Sequence, residues 1–157
     1  MSAVEDRLAE LGLTVPEVAK PVAVYQAAVR DGNLIFTSGQ LPMVSGALSQ
    51  TGKVGTGGDC VSAEDAKNLA RTCALNAIAA VRSVIGDLDK VTRVVKVVGF
   101  VASDPAFTGQ PGVINGASEL LGHAFGDAGV HARSAVGVAV LPLDAPVEVE
   151  ITVSVQD

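Results

Sequence analysis

The sequence predicts an α+β domain built as one mixed β-sheet with two helices packed on one face. Three observations predict it. Short Val-rich or alternating segments recur along the chain, and two long helical periodicities separate them. The resulting order of strand, strand, helix, strand, helix, strand, strand favours a sheet with its helices on one side. At 157 residues the chain has the length of one ordinary domain with room for a real core.

Val4 to Leu11 reads as a short amphipathic helix, followed by Gly12 and a linker from Pro16 to Pro21. Residues 1–21 are therefore expected to form an amino-terminal arm, with the domain proper over 22–157. Val22 to Val29 and Leu34 to Ser38 are β-rich runs flanking Arg30-Asp31-Gly32-Asn33, turn chemistry that predicts a hairpin. Pro42 to Asp59 carries five glycines among Ser and Thr, a loop composition without the spacing of either nucleotide-binding glycine motif.

Ser62 with Asp65 three residues on resembles a capping box, and Ala66, Leu69, Ala70, Cys73, Ala77, Ala80, Val81 and Val84 then recur at helical spacing until Gly86 stops the helix. Its apolar face is mostly alanine, which lets the axis lie close to a sheet. Val91 to Val101 is apolar on both faces and belongs in the middle of that sheet. Gln110 to Phe125 reads as a second helix, ended by Gly126. Ala135 to Leu141, a Pro142 to Pro146 turn and Val147 to Val155 then predict a closing hairpin with one apolar face, Glu148, Glu150, Thr152 and Ser154 lying on the other.

Composition narrows the function classes. With 48% hydrophobic and only 18% charged residues, a monomer of this size cannot easily hide its apolar surface, so self-association is expected. No run approaches the ~18 apolar residues of a membrane span, since Lys96 and Arg82 interrupt the longest ones. The first residues, with Glu5, Asp6, Arg7 and Glu10, lack the pattern of a secretory signal, so a cytoplasmic location is expected. Cys60 and Cys73 are too few for a disulfide framework and share no ligand spacing with His123 or His131, so neither a metal nor another cofactor is expected. Net charge of −6, one Tyr, four Phe and no Trp argue against nucleic acid as a partner.

Few residues remain to carry chemistry. Arg133 precedes an almost wholly apolar strand, where a guanidinium offers planar two-point recognition of a carboxylate. The bland alternative is a surface arginine paired with a local acid. Glu148 is either a solvated strand residue or, beside a ligand, a group that holds or deprotonates water. In a symmetric closing hairpin Glu148 lies opposite Leu141, eight residues from Arg133, or roughly 26 Å. One site using both residues therefore needs two subunits.

Tyr25 suits either a ligand hydrogen bond or a half-buried strand position, and Ser38 either an anion contact or a strand-ending turn. Asn115 either orients a ligand or caps locally. Cys73 reads as a small core residue, and His123 and His131 as solvated or locally hydrogen-bonded.

Gly32-Asn33-Leu34-Ile35-Phe36-Thr37-Ser38-Gly39-Gln40-Leu41-Pro42, then Ala132-Arg133-Ser134, then Leu141-Pro142 followed by Val147-Glu148-Val149-Glu150, resemble in this order the reactive intermediate deaminase family, also called RidA, YjgF-like or endoribonuclease L-PSP. The resemblance runs from about Val22 to Val155 and leaves the amino-terminal arm outside. It implies a chorismate-mutase-like fold, a homotrimer and a cleft between each pair of neighbouring subunits. It also implies hydrolysis of 2-enamine or 2-imino acids to 2-keto acids and ammonia, with a small carboxylate-bearing imine or keto acid as the partner. Under it Arg133 binds the carboxylate, Glu148 positions water, and Tyr25, Ser38 and Asn115 contact the ligand. Ala135 stands where the best-studied members have cysteine, which removes any thiol role and leaves that residue's backbone to address the ligand. The competing readings are a non-catalytic sensor of keto acids in the same cleft and a ribonuclease, the latter opposed by charge and aromatic content.

Overall fold

The computed structural model describes residues 1–18 and 24–157. In chain order it contains α1 (Ala3–Glu10), β1 (Ala28–Asp31), β2 (Leu34–Thr37), β3 (Met43–Val44), β4 (Ala47–Leu48), α2 (Ala63–Ile85), β5 (Val91–Ala102), α3 (Gln110–Phe125), β6 (Ala132–Val138) and β7 (Val147–Val155). The main sheet has the order β1-β2-β7-β5-β6. Only β5 and β6 run parallel, so the sheet is mixed. No described helix is long and apolar enough to cross a membrane.

Both long helices form where their periodicity and caps predict. The Ser62 hydroxyl accepts the Asp65 N–H at 3.1 Å, satisfying one orphan donor of the first turn of α2. Gly86, at φ +75, ends that helix in a conformation that favours glycine. The alanine face of α2 is fully buried against the sheet and α3. Where the two helices cross, a Cβ on Gly116 would collide with the Lys67 carbonyl, so a glycine sets how near they come.

Four sequence expectations are corrected. First, β6 and β7 do not form a hairpin: β5 lies between them, parallel to β6 and antiparallel to β7. The Pro142 segment is a crossover, with Leu143 and Asp144 both at φ 58, and β6 begins at Ala132 rather than Ala135. Alternation of side chains specifies a strand's faces and not its neighbours. Second, β7 rather than β5 is the middle strand, although β5 has a neighbour on each side. Third, β1 is only Ala28–Asp31; residues 24–27 are not strand, and Val22 and Ala23 lie outside the described residues. Fourth, the predicted loop contains the small β3–β4 hairpin, turned by Ser45 at φ 52 and Gly46 at φ 80. Strands of two residues leave no periodicity to read.

Helix α1 is closely attached to the rest of the chain. Val4 and Leu8 are buried in the common core, and the Asp89 carboxylate accepts the N–H groups of Ala3 and Val4 at 2.8 and 3.1 Å. Glu5 pairs with Arg82 at 3.0 Å. The Ser2 backbone N–H and then Arg82 hold the Glu5 carboxyl below its ordinary range.

The sheet's two faces differ sharply. Val147, Val149, Ile151, Val153 and Val155 are buried toward the helices, whereas the alternate residues of β7 are partly open, as the sequence pattern predicts. On that open face no described helix covers Val29, Phe36 or Val136, which remain 51%, 40% and 45% exposed.

Candidate functional site

The predicted site residues fall into two groups on opposite faces of the sheet. Arg133 lies opposite Val97 in the β5–β6 ladder, and Glu148 lies opposite Phe100 in the β5–β7 ladder. Val97 is fully buried toward the helices, and residues three apart on a strand face opposite ways. Arg133 is therefore on the helical side and Glu148 on the open side. Their Cα atoms are roughly 14 Å apart across two strand spacings and three residues, not the roughly 26 Å of the predicted hairpin. Sharing a site still requires two copies of the chain, but because of facing rather than distance.

The first group is built by β6 and α3. Arg133 Nη1 donates to Asn115 Oδ1 at 2.8 Å and to Ser118 Oγ at 3.2 Å. Both Nη1 hydrogens are thus spent on neutral acceptors. No carboxylate among the described residues pairs with this guanidinium, which overturns the reading of Arg133 as half of a local ion pair. Its Nε and Nη2 make no hydrogen bond to the described chain and form an edge suited to a carboxylate. Ala135 lies two residues along the same face, opposite Gly99 and packed on the core.

The second group is built where β2 ends against β7. Thr37 is buried and its hydroxyl accepts the Ile151 N–H at 3.0 Å; pairing resumes at Gln40, whose N–H reaches the Val149 carbonyl at 2.8 Å. The interruption at Ser38-Gly39 lays the Gly39 backbone over the Glu148 side chain. A Cβ at Gly39 would collide with Glu148 Oε1, so only glycine fits. Burial, and then the charge of Glu150, raise the Glu148 carboxyl above its ordinary range.

Ser38 donates its hydroxyl to the Gln26 carbonyl at 2.6 Å and its N–H to the Ala27 carbonyl at 2.8 Å, so it is tied across to the segment before β1 and does not form the local turn weighed for it. Tyr25 precedes β1, is 59% exposed and is not in a strand, contrary to the half-buried strand position weighed for it. Cys73 is buried, and burial followed by the Glu148 charge pushes its thiol well up, as befits an inert core residue. His123 donates to the Arg7 carbonyl at 2.8 Å. His131 bridges Ser118 and Gly129.

Sequence reasoning missed Gly39 and Ser118. The Ser-Gly pair after a strand is a legible signal for the first. The second follows only from knowing that α3 lies beside β6.

Comparison with known proteins bears on the family and the fold. A family model described as "YjgF/chorismate_mutase-like, putative endoribonuclease" matches residues 5–153 and so takes in most of α1, which the motif resemblance leaves outside. The chain is 45% identical to the Agrobacterium tumefaciens protein Atu1372, of unknown function, with a TM-score of 0.90 over 98% of this chain and 93% of that one. It is 41% identical over 151 residues to protein TCP17 of Trypanosoma cruzi, covering 96% of this chain and 92% of the relative. The YjgF gene product of E. coli superposes with a TM-score of 0.63 at 25% identity, over 90% and 94% of the two chains. With its motifs, its mixed sheet and helical layer, and a match along nearly the whole length, the chain belongs to the YjgF/chorismate-mutase-like family.

Proposed function

We propose that the protein hydrolyses 2-enamine or 2-imino acids to 2-keto acids and ammonia in clefts between neighbouring copies of the chain, assembled as a homotrimer. The observation that carries this reading is Arg133, a cation held by neutral acceptors with its two-point edge left free. Such an edge takes a planar carboxylate.

The reaction needs only water as co-reactant. Arg133 grips the substrate carboxylate, and Glu148 of an adjacent copy accepts a proton from water as its oxygen attacks the imine carbon. That proton passes to nitrogen to give the neutral carbinolamine. Glu148 then takes the carbinolamine's hydroxyl proton and returns it to nitrogen as the C=O forms and the C–N bond breaks, so that keto acid and ammonia leave. A carboxyl raised above its ordinary range by burial suits this exchange, and positioning supplies much of the remaining acceleration. Tyr25, Ser38 and the Ala135 backbone line the cleft in this reading, with Asn115 steadying the anchor.

The test is an imine supplied in solution by an amino-acid-consuming enzyme. Keto acid formation above the buffer rate is expected. Tight binding of 2-ketobutyrate in calorimetry with no added rate would instead identify a sensor. The family's endoribonuclease description is less well served by a chain of net charge −6 with 3% aromatic residues.

Assembly has its own expected result. Burying a carboxylate among apolar side chains opposes association, so Val136→Asp on the open face should convert the assembly to monomer in light scattering and abolish turnover while each half-site stays folded. Stability should also fall on dilution, because association contributes to it. A wild-type monomer at micromolar concentration would contradict the shared cleft.

A further inference from the structure

We propose that Ser118 and His131 are positioning residues that determine which edge of Arg133 faces the ligand. The inference rests on Arg133 being the carboxylate anchor. It concerns a chain of hydrogen bonds behind that anchor, running back to the far end of α3.

The direction of each bond follows from its fixed end. The Gly129 carbonyl can only accept, so His131 Nδ1, 2.6 Å away, carries a proton and donates. In the neutral ring Nε2 is then an acceptor. Ser118 Oγ lies 2.8 Å from it and donates its hydroxyl proton there. That leaves the serine oxygen's lone pairs for Arg133 Nη1, which donates to it at 3.2 Å. Asn115 Oδ1 takes the other Nη1 hydrogen at 2.8 Å.

The fixed end is itself rigid. A Cβ on Gly129 would collide with the Leu121 carbonyl, so the turn holding that residue sits directly on α3. The order therefore runs from the helix through Gly129, His131 and Ser118 to the guanidinium.

Without the imidazole the serine hydroxyl is free to rotate, and in part of its range it turns a proton toward a cation. Without the serine, Nη1 loses one of two acceptors, and the guanidinium can rotate so that Nη1 competes with Nε and Nη2 for the carboxylate. The pair thus converts a flexible arginine into a fork of defined orientation, lowering the ordering cost at binding.

The test combines ligand-free spectra with binding. In 15N spectra of the unliganded protein, His131 should carry its proton on Nδ1 with Nε2 bare. Separate Arg133 Nη resonances in wild type should merge in Ser118→Ala as rotation is released. The opposite tautomer, or an unchanged arginine spectrum, overturns the proposal. In calorimetry with 2-ketobutyrate, Ser118→Ala and His131→Phe should each weaken Kd about five-fold, the worth of one ordinary hydrogen bond. The double variant should lose no more than either single one, because both cut the same chain. Ser118→Thr, which keeps the hydroxyl, should bind as wild type, and kcat should move less than KM throughout. Losses that multiply in the double variant, or singles that bind normally, overturn it. If wild type itself binds no keto acid, the proposed function fails, while the spectra still decide whether the chain of bonds orients Arg133.

Discussion

Arg133→Ala is expected to lower kcat/KM for a 2-imino acid by roughly ten- to a hundredfold for each charge-assisted hydrogen bond it removes. A two-point grip on Nε and Nη2 makes the combined loss about 10²- to 10⁴-fold. The loss should appear in keto acid affinity as well as in rate, because the contact exists before the chemistry begins. Arg133→Lys should recover little: an ammonium is a point charge that cannot satisfy Asn115 and Ser118 while presenting a planar edge. Folding should be barely affected, since no carboxylate among the described residues is left unpaired by the change. An imine assay decides the matter, and a variant as fast as wild type would remove the anchor from the mechanism.

What was legible in the sequence divides along a physical line. Local signals were readable: the Ser62 cap, the stops at Gly86 and Gly126, and the alternation that buries Val147 to Val155 on one side. These depend on neighbours a few residues away in the chain. Strand partnership depends on distant segments, and here β5 enters between two strands that look like a hairpin. The error propagated into the site, because placing Arg133 and Glu148 on one hairpin predicted the wrong separation. The proposal that they meet only across two copies rests on facing instead, because β6 and β7 present them on opposite faces of the sheet. Ser118 was unreadable for a related reason: an i, i+15 pairing with Arg133 has meaning only once α3 lies beside β6.

Glu148→Gln should inactivate the protein and stabilise it. Replacing the acid removes the group that takes and returns the proton, and loss of such a group typically costs about 10²- to 10⁴-fold in rate. The stability effect follows from burial, which raises the Glu148 carboxyl above its unfolded value, with Glu150 adding to the rise. Folding therefore favours the protonated form. Its contribution to stability is fully present below the unfolded pKa and is lost as pH rises through the folded one. Above the folded pKa the wild type bears the charge at a penalty that the neutral amide avoids. Glutamine keeps nearly the same volume against the Gly39 backbone, so packing should not offset the gain. Thermal melts should accordingly show the variant with the higher Tm at pH 7 and the advantage vanishing as pH falls below the ordinary carboxylate range. The reverse pH trend would mean that Glu148 is stabilised as an anion, by contacts in the assembled protein, and is too weak a base for the role assigned to it.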